Sequence, residues 1–111
     1  MPSIRIDAGA HLRGRQNEVM AAVNSATLEP LGVSPADNDL VMACHDPQTR
    51  IVPEGRSERF CLIEIKMLAG RSDLQKKQLR TAIGEALAGF GLGETDIKMI
   101  TLDIPRGNLG R

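Results

Sequence analysis

The chain has 111 residues, and its 14 Lys and Arg balance 14 Asp and Glu to give a formal net charge of zero at pH 7. A balanced charge removes the electrostatic basis for general binding to nucleic acids or anionic membranes. Phe60 and Phe90 are the only aromatic residues, so no surface for stacking bases is available. We therefore expect neither a nucleic-acid nor a membrane partner.

The first half of the chain predicts a strand, a helix and a second strand. Residues Ser3 to Asp7 alternate apolar and polar side chains, which is typical of a strand. A helix is predicted over about Gln16 to Leu31, with Pro30 weakening its last turn. A turn and another strand follow within LGVSPADNDLVMACH.

The second half predicts the same order. A strand is predicted over Arg59 to Leu68, and Ser72 with Gln75 reads as the capping box of a helix. The apolar residues of that helix form one stripe: Leu79, Ala82, Ile83, Ala86, Leu87 and Phe90. Glycines 89, 91 and 93 end it, and a last strand lies within FGLGETDIKMITLDI.

The two halves align as an internal repeat. Gly32 with Gly91, and Asp37 with Asp96, give the same offset of 59 residues, which places Pro2 opposite Cys61. We predict an α/β fold (α+β in some schemes), with a four-stranded sheet and two helices on one face. It would form a single domain, 1–111, of two β-α-β units at about 1–46 and 59–105, joined by a linker at about 46–58.

The uncovered face of this sheet predicts self-association. The strands expected at the centre are apolar nearly throughout, so the second face should be buried against other subunits. The residues that carry this expectation are Leu62, Ile63, Ile65, Met99, Ile100 and Leu102.

Cys44 and Cys61 lie in apolar, strand-like runs and make no metal motif with His11 and His45. We expect buried free thiols, no metal site and no cofactor. The start of the chain has no basic segment followed by an apolar core, and no apolar run approaches about 18 residues. These features predict a cytoplasmic protein.

Two segments together carry a resemblance to a known family. MPSIRID and IEIKMLAGRSDLQKKQLRTAIGEALAGFGLGETDIKMITLDIPRGNLG resemble the 4-oxalocrotonate tautomerase type of the tautomerase superfamily. The doubled length and GVSPAD are similar to the branch that contains malonate semialdehyde decarboxylase and other fused tautomerases. The likeness covers nearly the whole chain, implies a tautomerase-like fold and implies a homotrimer of six β-α-β units.

The resemblance gives Pro2 a chemical role. Removal of Met1 would leave Pro2 as a secondary amine, which titrates near 8 when unperturbed and lower in an apolar or cationic pocket. Such an amine can take a proton from a carbon beside a carbonyl and return it elsewhere. With Met1 retained, the nitrogen is an amide without a basic lone pair. The alternative is a proline that merely starts a strand.

Three further residues are implicated by the resemblance. Arg71, in the GRS turn, falls at the arginine that binds a substrate carboxylate, and its alternative is a solvated arginine at a helix start. Lys66 falls at the first of two arginines of the decarboxylase branch. It keeps the positive charge but cannot contact a carboxylate through two parallel hydrogen bonds as a guanidinium can. Leu68 falls at the second, so one contact to the carboxylate is missing.

Asp37 matches the aspartate that assists the proline in the decarboxylase branch. It could hold Pro2 or orient a water or hydroxyl group, but it is also a residue favoured in turns. Asp96 occupies the corresponding turn of the second half, which supports the turn-forming role.

We predict a tautomerase that interconverts the keto and enol forms of a small 2-oxo carboxylic acid. The alternatives are a decarboxylase of a 3-oxo acid such as malonate semialdehyde, an inactive relative, or a ferredoxin-like ligand-binding domain, whose units would interleave in an antiparallel sheet. The chain has no Tyr and ends in PRGNLGR, so the resemblance does not extend to hydratase-type dehalogenases.

Overall fold

The computed structural model describes residues 1–110, which form four strands and two α-helices in the predicted order. The first unit contains β1 (Ser3–Gly9), α1 (Gln16–Leu31) and β2 (Asp39–His45). The second contains β3 (Cys61–Leu68), α2 (Asp73–Ala88) and β4 (Ile97–Ile104). β1 runs two residues further than predicted, and β3 begins two residues later.

The sheet confirms the repeat. Its strand order is β2-β1-β3-β4, with parallel pairing inside each unit and antiparallel pairing between β1 and β3. Ile4 pairs with Leu40 and Ile63 with Met99, so the partner lies 36 positions onward in both units (40 − 4 and 99 − 63). Two parallel pairs side by side exclude the interleaved ferredoxin-like arrangement.

One face of the sheet packs against both helices. Alternate residues of the central strands point to this side because successive strand side chains point to opposite faces. Val19 and Val23 of α1, and Leu79, Ile83 and Leu87 of α2, meet them in one core. The strand residues of this core are Ile4, Ile6 and Ala8 of β1 and Cys61, Ile63, Ile65 and Met67 of β3, all nearly or fully buried.

The other face, called here the open face, is less apolar than predicted. Ile63, Ile65 and Met99 point to the helices instead, and β1, not β4, is the second central strand. β1 therefore presents Ser3, Arg5 and Asp7 on the open face. The prediction of a nearly continuous apolar face is wrong at the centre of the sheet. Apolar side chains remain on the outer strands, where Val41 is 54% and Leu102 is 41% exposed.

The connecting segment, residues 46–60, contains a short 3-10 turn at Pro47–Thr49 and no strand. Arg50 fixes its path by donating from Nη1 to the Phe60 carbonyl (2.7 Å) and from Nη2 to the Glu58 carbonyl (3.0 Å). The segment passes so close to the end of β1 that a Cβ on Gly9 would lie 2.4 Å from the Glu58 oxygen. Only glycine fits at this position.

Candidate active site

The topology brings the four predicted site residues to one edge of the sheet, called here the Pro2 edge. β1 and β2 begin at this edge, and β3 and β4 end there. Pro2 precedes β1, and its carbonyl accepts a hydrogen bond from the Asp39 amide (3.3 Å) at the start of β2. Lys66 pairs with Ser3 in the ladder of β1 and β3. Arg71 follows the end of β3 by three residues.

Pro2 is buried and Met1 is half-buried. In the chain with Met1, the Pro2 nitrogen is an amide and carries no basic lone pair. The Met1 amino group donates a hydrogen bond to the Asp37 carbonyl oxygen. The chain terminus therefore already lies beside the turn that carries Asp37.

The Asp37 side chain closes its own turn. Its Oδ2 accepts from the Ser34 amide (3.3 Å), while the Ser34 hydroxyl accepts from the Ala36 amide (3.3 Å). Asp96 accepts from the Gly93 amide (2.8 Å) in the corresponding turn of the second unit. The turn-forming role is thus present in both units. Asp37 Oδ1 has no hydrogen-bond partner within residues 1–110.

Asn38, which the sequence analysis missed, ties this turn to α1. Its Nδ2 donates to Asn24 Oδ1 (2.6 Å) and to Thr27 Oγ1 (2.8 Å). Thr27 is fully buried and donates in turn to the Asn24 carbonyl (2.7 Å). Thr27 lies on the buried side of α1 among apolar residues, so a pattern of apolar residues alone does not reveal it. This network holds the backbone at Asp37 against the helix.

Arg71 is half-buried in the turn between β3 and α2. Gly70 precedes it with a φ of +125°, which favours glycine, and Ser72 caps the helix after it. Ser72 and Gln75 form the predicted capping box, with bonds of 3.0 and 3.1 Å. Arg71 Nη1 contacts the Leu68 carbonyl at 3.5 Å, and the guanidinium has no ion pair with any described carboxylate.

Lys66 is exposed on the open face and makes no ion pair within the described residues. It pairs with Ser3 on one side and with Leu102 of β4 on the other. A pocket of about 210 Å³ lies here, lined by Ser3, Ile4, Arg5, Asp39, Val41, Glu64 and Lys66. Lys66 therefore offers a free ammonium group beside the residue that follows Pro2.

A family model described as "Tautomerase enzyme" matches residues 37–110, two thirds of the chain. The chain belongs to this tautomerase family. A comparison with curated protein sequences found no match.

The chain superimposes on solved structures over nearly its whole length. FG41 malonate semialdehyde decarboxylase, inhibited by 3-bromopropiolate, is 26% identical, with a TM-score of 0.86 over 98% of this chain and 88% of that one. A native fused 4-OT is 24% identical, with a TM-score of 0.85 over 99% and 92%. Another fused 4-OT, a symmetric trimer, is 21% identical, with a TM-score of 0.86 over 99% and 91%.

The edge of the sheet opposite the Pro2 edge carries a polar cluster that the sequence analysis also missed. His45 Nε2 lies 2.7 Å from Asp7 Oδ1, and Arg5 Nε donates to Asp7 Oδ2 at 3.0 Å. Burial raises the pKa of Asp7, but the hydrogen bonds from His45 and Arg5 and the charge of Arg5 outweigh it and lower that pKa overall. The repeat offset of 59 residues makes Asp7 the equivalent of Lys66 in the other unit. This equivalence is the feature of the sequence that relates the two edges.

Both thiols of the chain are free, as predicted, although Cys44 is only half-buried. In the described part of the chain, no three His, Cys, Asp or Glu residues lie together as a metal site would require. None of the helices within residues 1–110 is both long enough and apolar enough to cross a membrane.

Proposed function

We propose that this tautomerase, once Met1 is removed, uses the Pro2 amine to interconvert the keto and enol forms of a small 2-oxo carboxylic acid. The observation that supports the proposal most directly is the convergence at one edge of a buried Pro2 with two cations, Lys66 and Arg71, that lack ion-pair partners among the described residues. The edge can therefore receive an anionic substrate next to the terminal nitrogen.

The proton transfer uses the amine as both base and acid. Neutral Pro2 takes a proton from the carbon beside the substrate carbonyl, and the electron pair of that C–H bond moves to form the enolate. The resulting ammonium returns the proton to the enolate oxygen, or in the reverse direction to carbon. Burial and nearby cations disfavour the charged amine, which suits a base working near neutral pH.

The remaining residues position the substrate. Arg71 offers a guanidinium fork for the carboxylate, and Lys66 adds a second, less directional positive charge. Asp37 Oδ1 is free to accept a hydrogen bond from the Pro2 ammonium or from a hydroxyl of the substrate. The Asn38 network described above would keep this carboxylate at a fixed place relative to β1.

We further propose that the functional unit is a homotrimer. The fused 4-OT in one comparison is a symmetric trimer, and this chain leaves Val41 and Leu102 exposed on the open face. Three two-unit chains would bury these apolar margins around one axis. Neighbouring chains would also enclose the Pro2 edge, which in a single chain is open to solvent at Lys66 and Asp37.

Decarboxylation of a 3-oxo acid is the second candidate function. It is favoured by the 26% identity with malonate semialdehyde decarboxylase. In that reaction the Pro2 ammonium would polarise the carbonyl while carbon dioxide leaves, or the amine would attack the carbonyl to form an iminium. Decarboxylation through the ammonium requires Pro2 to be charged at the working pH, the opposite of proton abstraction.

Titration of the terminal amine by NMR separates tautomerisation from decarboxylation through the ammonium, after mass spectrometry has shown that Met1 is absent. A pKa well below 7 supports proton abstraction by Pro2 and excludes the ammonium route, whereas a pKa well above 7 supports decarboxylation through the ammonium. A protein purified from its native cells with Met1 intact contradicts both.

A blocked chain tests Pro2 directly. One extra residue before Pro2 should lower the rate of ketonisation of phenylpyruvate enol by at least about 10²-fold, because general acid–base catalysis typically contributes about 10²- to 10⁴-fold. The matched control, Pro2→Ala with a free terminus, retains a primary amine and should keep part of the activity. Equal rates for the blocked and free proteins would overturn the proposal.

A further inference from the structure

We propose that a second pocket, at the edge of the sheet opposite Pro2, binds the carboxylate of a small organic acid with an apolar body. This inference goes beyond the proposed reaction and does not depend on it. The pocket encloses about 480 Å³ between the ends of β1 and β2 and the connecting segment. Its lining includes Ala10, His45, Arg50, Val52 and Arg56.

Arg50 and Arg56 are held rigidly in the wall of this pocket. Their guanidinium groups lie 5.6 and 5.2 Å from the centre of the Phe60 ring. Arg50 is anchored to the Phe60 and Glu58 carbonyls at 2.7 and 3.0 Å, and Arg56 Nη1 donates to the Ile97 carbonyl at 3.0 Å. These contacts fix both side chains in advance, so little conformational entropy remains to be lost when a ligand binds.

The two guanidinium groups have no carboxylate partner among residues 1–110. Their bonds to backbone carbonyls leave Arg50 Nε, and Nε and Nη2 of Arg56, without a hydrogen-bond acceptor. A planar guanidinium with free donors is the protein group best suited to a carboxylate. The free N–H groups of the two arginines are therefore available to bind an anion in the pocket.

The other charged groups around the pocket leave an excess of positive charge. The lining contains one carboxylate, Glu58, against two arginines, while Asp96 lies outside the lining and accepts a hydrogen bond from Ser57 Oγ at 3.3 Å. Burial and the positive charges of Arg59 and Arg50 lower the pKa of His11, which favours its neutral form beside the two arginines. Asp7 contacts His45 at 2.7 Å from the sheet side and is already satisfied by His45 and Arg5.

The apolar part of the lining selects an organic acid over a bare inorganic anion. Ala10, Pro47 and Val52 contribute hydrocarbon surface next to the arginines. An acid with a short alkyl or aryl body would cover this surface while its carboxylate reaches the guanidinium groups. Inorganic phosphate would satisfy the charge but would leave the apolar wall in water.

The pocket lacks a counterpart of the Pro2 amine, so we assign it binding and no reaction. Cys61 occupies the place of Pro2 in the second unit, but its backbone nitrogen lies within the chain and is an amide. Its side chain is fully buried, and burial raises the pKa of the thiol to about 12. A thiol in that environment is neither a base nor a nucleophile at neutral pH.

Titration of the intact protein with 3-phenylpropanoate, followed by amide chemical shifts, tests the site. Saturable shifts should appear around Arg50 and Arg56. Arg56→Gln and Arg50→Gln should each weaken binding by about tenfold or more, because a hydrogen bond to a charged group contributes about 1.5–3 kcal/mol. Arg80→Gln, an exposed arginine on α2, is the matched control and should bind as the parent does.

Two further arms separate this pocket from the Pro2 edge and from simple charge attraction. Lys66→Gln with Arg71→Gln should leave the shifts around Arg50 and Arg56 unchanged, and neutral 3-phenylpropanamide should not bind. If Arg50→Gln disorders the connecting segment, Arg56→Gln decides alone, since its anchor is on β4. Shifts confined to the Pro2 edge, unchanged binding by Arg56→Gln, or equal competition by phosphate would overturn the proposal.

Discussion

Arg5 and Glu64 lie directly opposite each other in the two central strands, and they are also separated by the repeat offset of 59 residues (64 − 5). The pair therefore marks the point about which the two units are related. Each residue at the Pro2 edge has a counterpart at the other edge: Cys61 for Pro2, and Asp7 for Lys66. These two pairs differ in chemistry, so by our proposals one chain offers one reaction site and one separate binding site.

Arg71→Ala is expected to raise KM by about tenfold or more with a smaller change in kcat. A carboxylate anchor contacts the ground state and the transition state alike, and a hydrogen bond to a charged group contributes about 1.5–3 kcal/mol. Steady-state kinetics on phenylpyruvate enol would measure both constants. Arg80→Ala serves as the control and should change neither. A fall in kcat at constant KM would give Arg71 a role in the chemical step instead.

The assembly can be measured by light scattering. A homotrimer of the 12.0 kDa chain should have a mass of about 36 kDa. Val41→Glu places a charge on the open face, where this residue is 54% exposed in the single chain, and should dissociate the trimer. Ile51→Glu, at a residue 96% exposed on the connecting segment, should not. A parent protein that runs as a folded monomer would contradict the proposed assembly.

Much of this fold follows from periodicity in the sequence, whereas its surfaces do not. The bounds of α1 and the Ser72–Gln75 capping box were predicted correctly because apolar spacing and caps are local signals. The face to which Ile63 points was not, since alternation fixes two faces but not which one meets the helices. The sequence analysis placed Arg50 and Arg56 in the linker and gave them no role, because their contacts with Phe60 depend on the folded path of that segment.

Cys44 and Cys61 should react differently with a thiol reagent. β1 lies between their strands, so the two residues are about 9.5 Å apart, too far for a disulfide. In the native protein only the half-buried Cys44 should be modified, and slowly, because burial raises the pKa of both thiols. Denaturant should expose the second. Two fast-reacting thiols in the native protein, or none after denaturation without reductant, would refute this picture.

Ile63→Ala should lower the free energy of unfolding by about 2–5 kcal/mol, because Ile63 is fully buried in a central strand and its truncation leaves a cavity. Chemical denaturation would give the value. Leu74→Ala, at a residue 62% exposed on α2, should change stability by no more than about 0.5 kcal/mol. A similar loss in the free energy of unfolding for both variants would show that the core does not lie between the sheet and the helices.

Asp7 should make stability depend on pH in the acid range. Its pKa is lower in the folded protein than in the unfolded chain, so its stabilisation is fully present above the unfolded value of about 4 and is lost as the pH falls through the folded value. Asp7→Asn should therefore lower the free energy of unfolding at pH 7 and make it depend less on pH in the acid range. Asp46→Asn, which removes an exposed ion pair with Arg13, should do much less.

Within residues 1–110 the two units exchange no strand and no helix, since each keeps its own parallel pair and the main contacts between them join β1 to β3 and α1 to α2. The connecting segment thus acts as a tether rather than as part of the sheet. Even a flexible linker of this length would hold the two units together at an effective concentration of the order of millimolar. The second unit therefore stays paired with the first whatever its own edge contains, and its residues are free to diverge from those around Pro2 without loss of assembly.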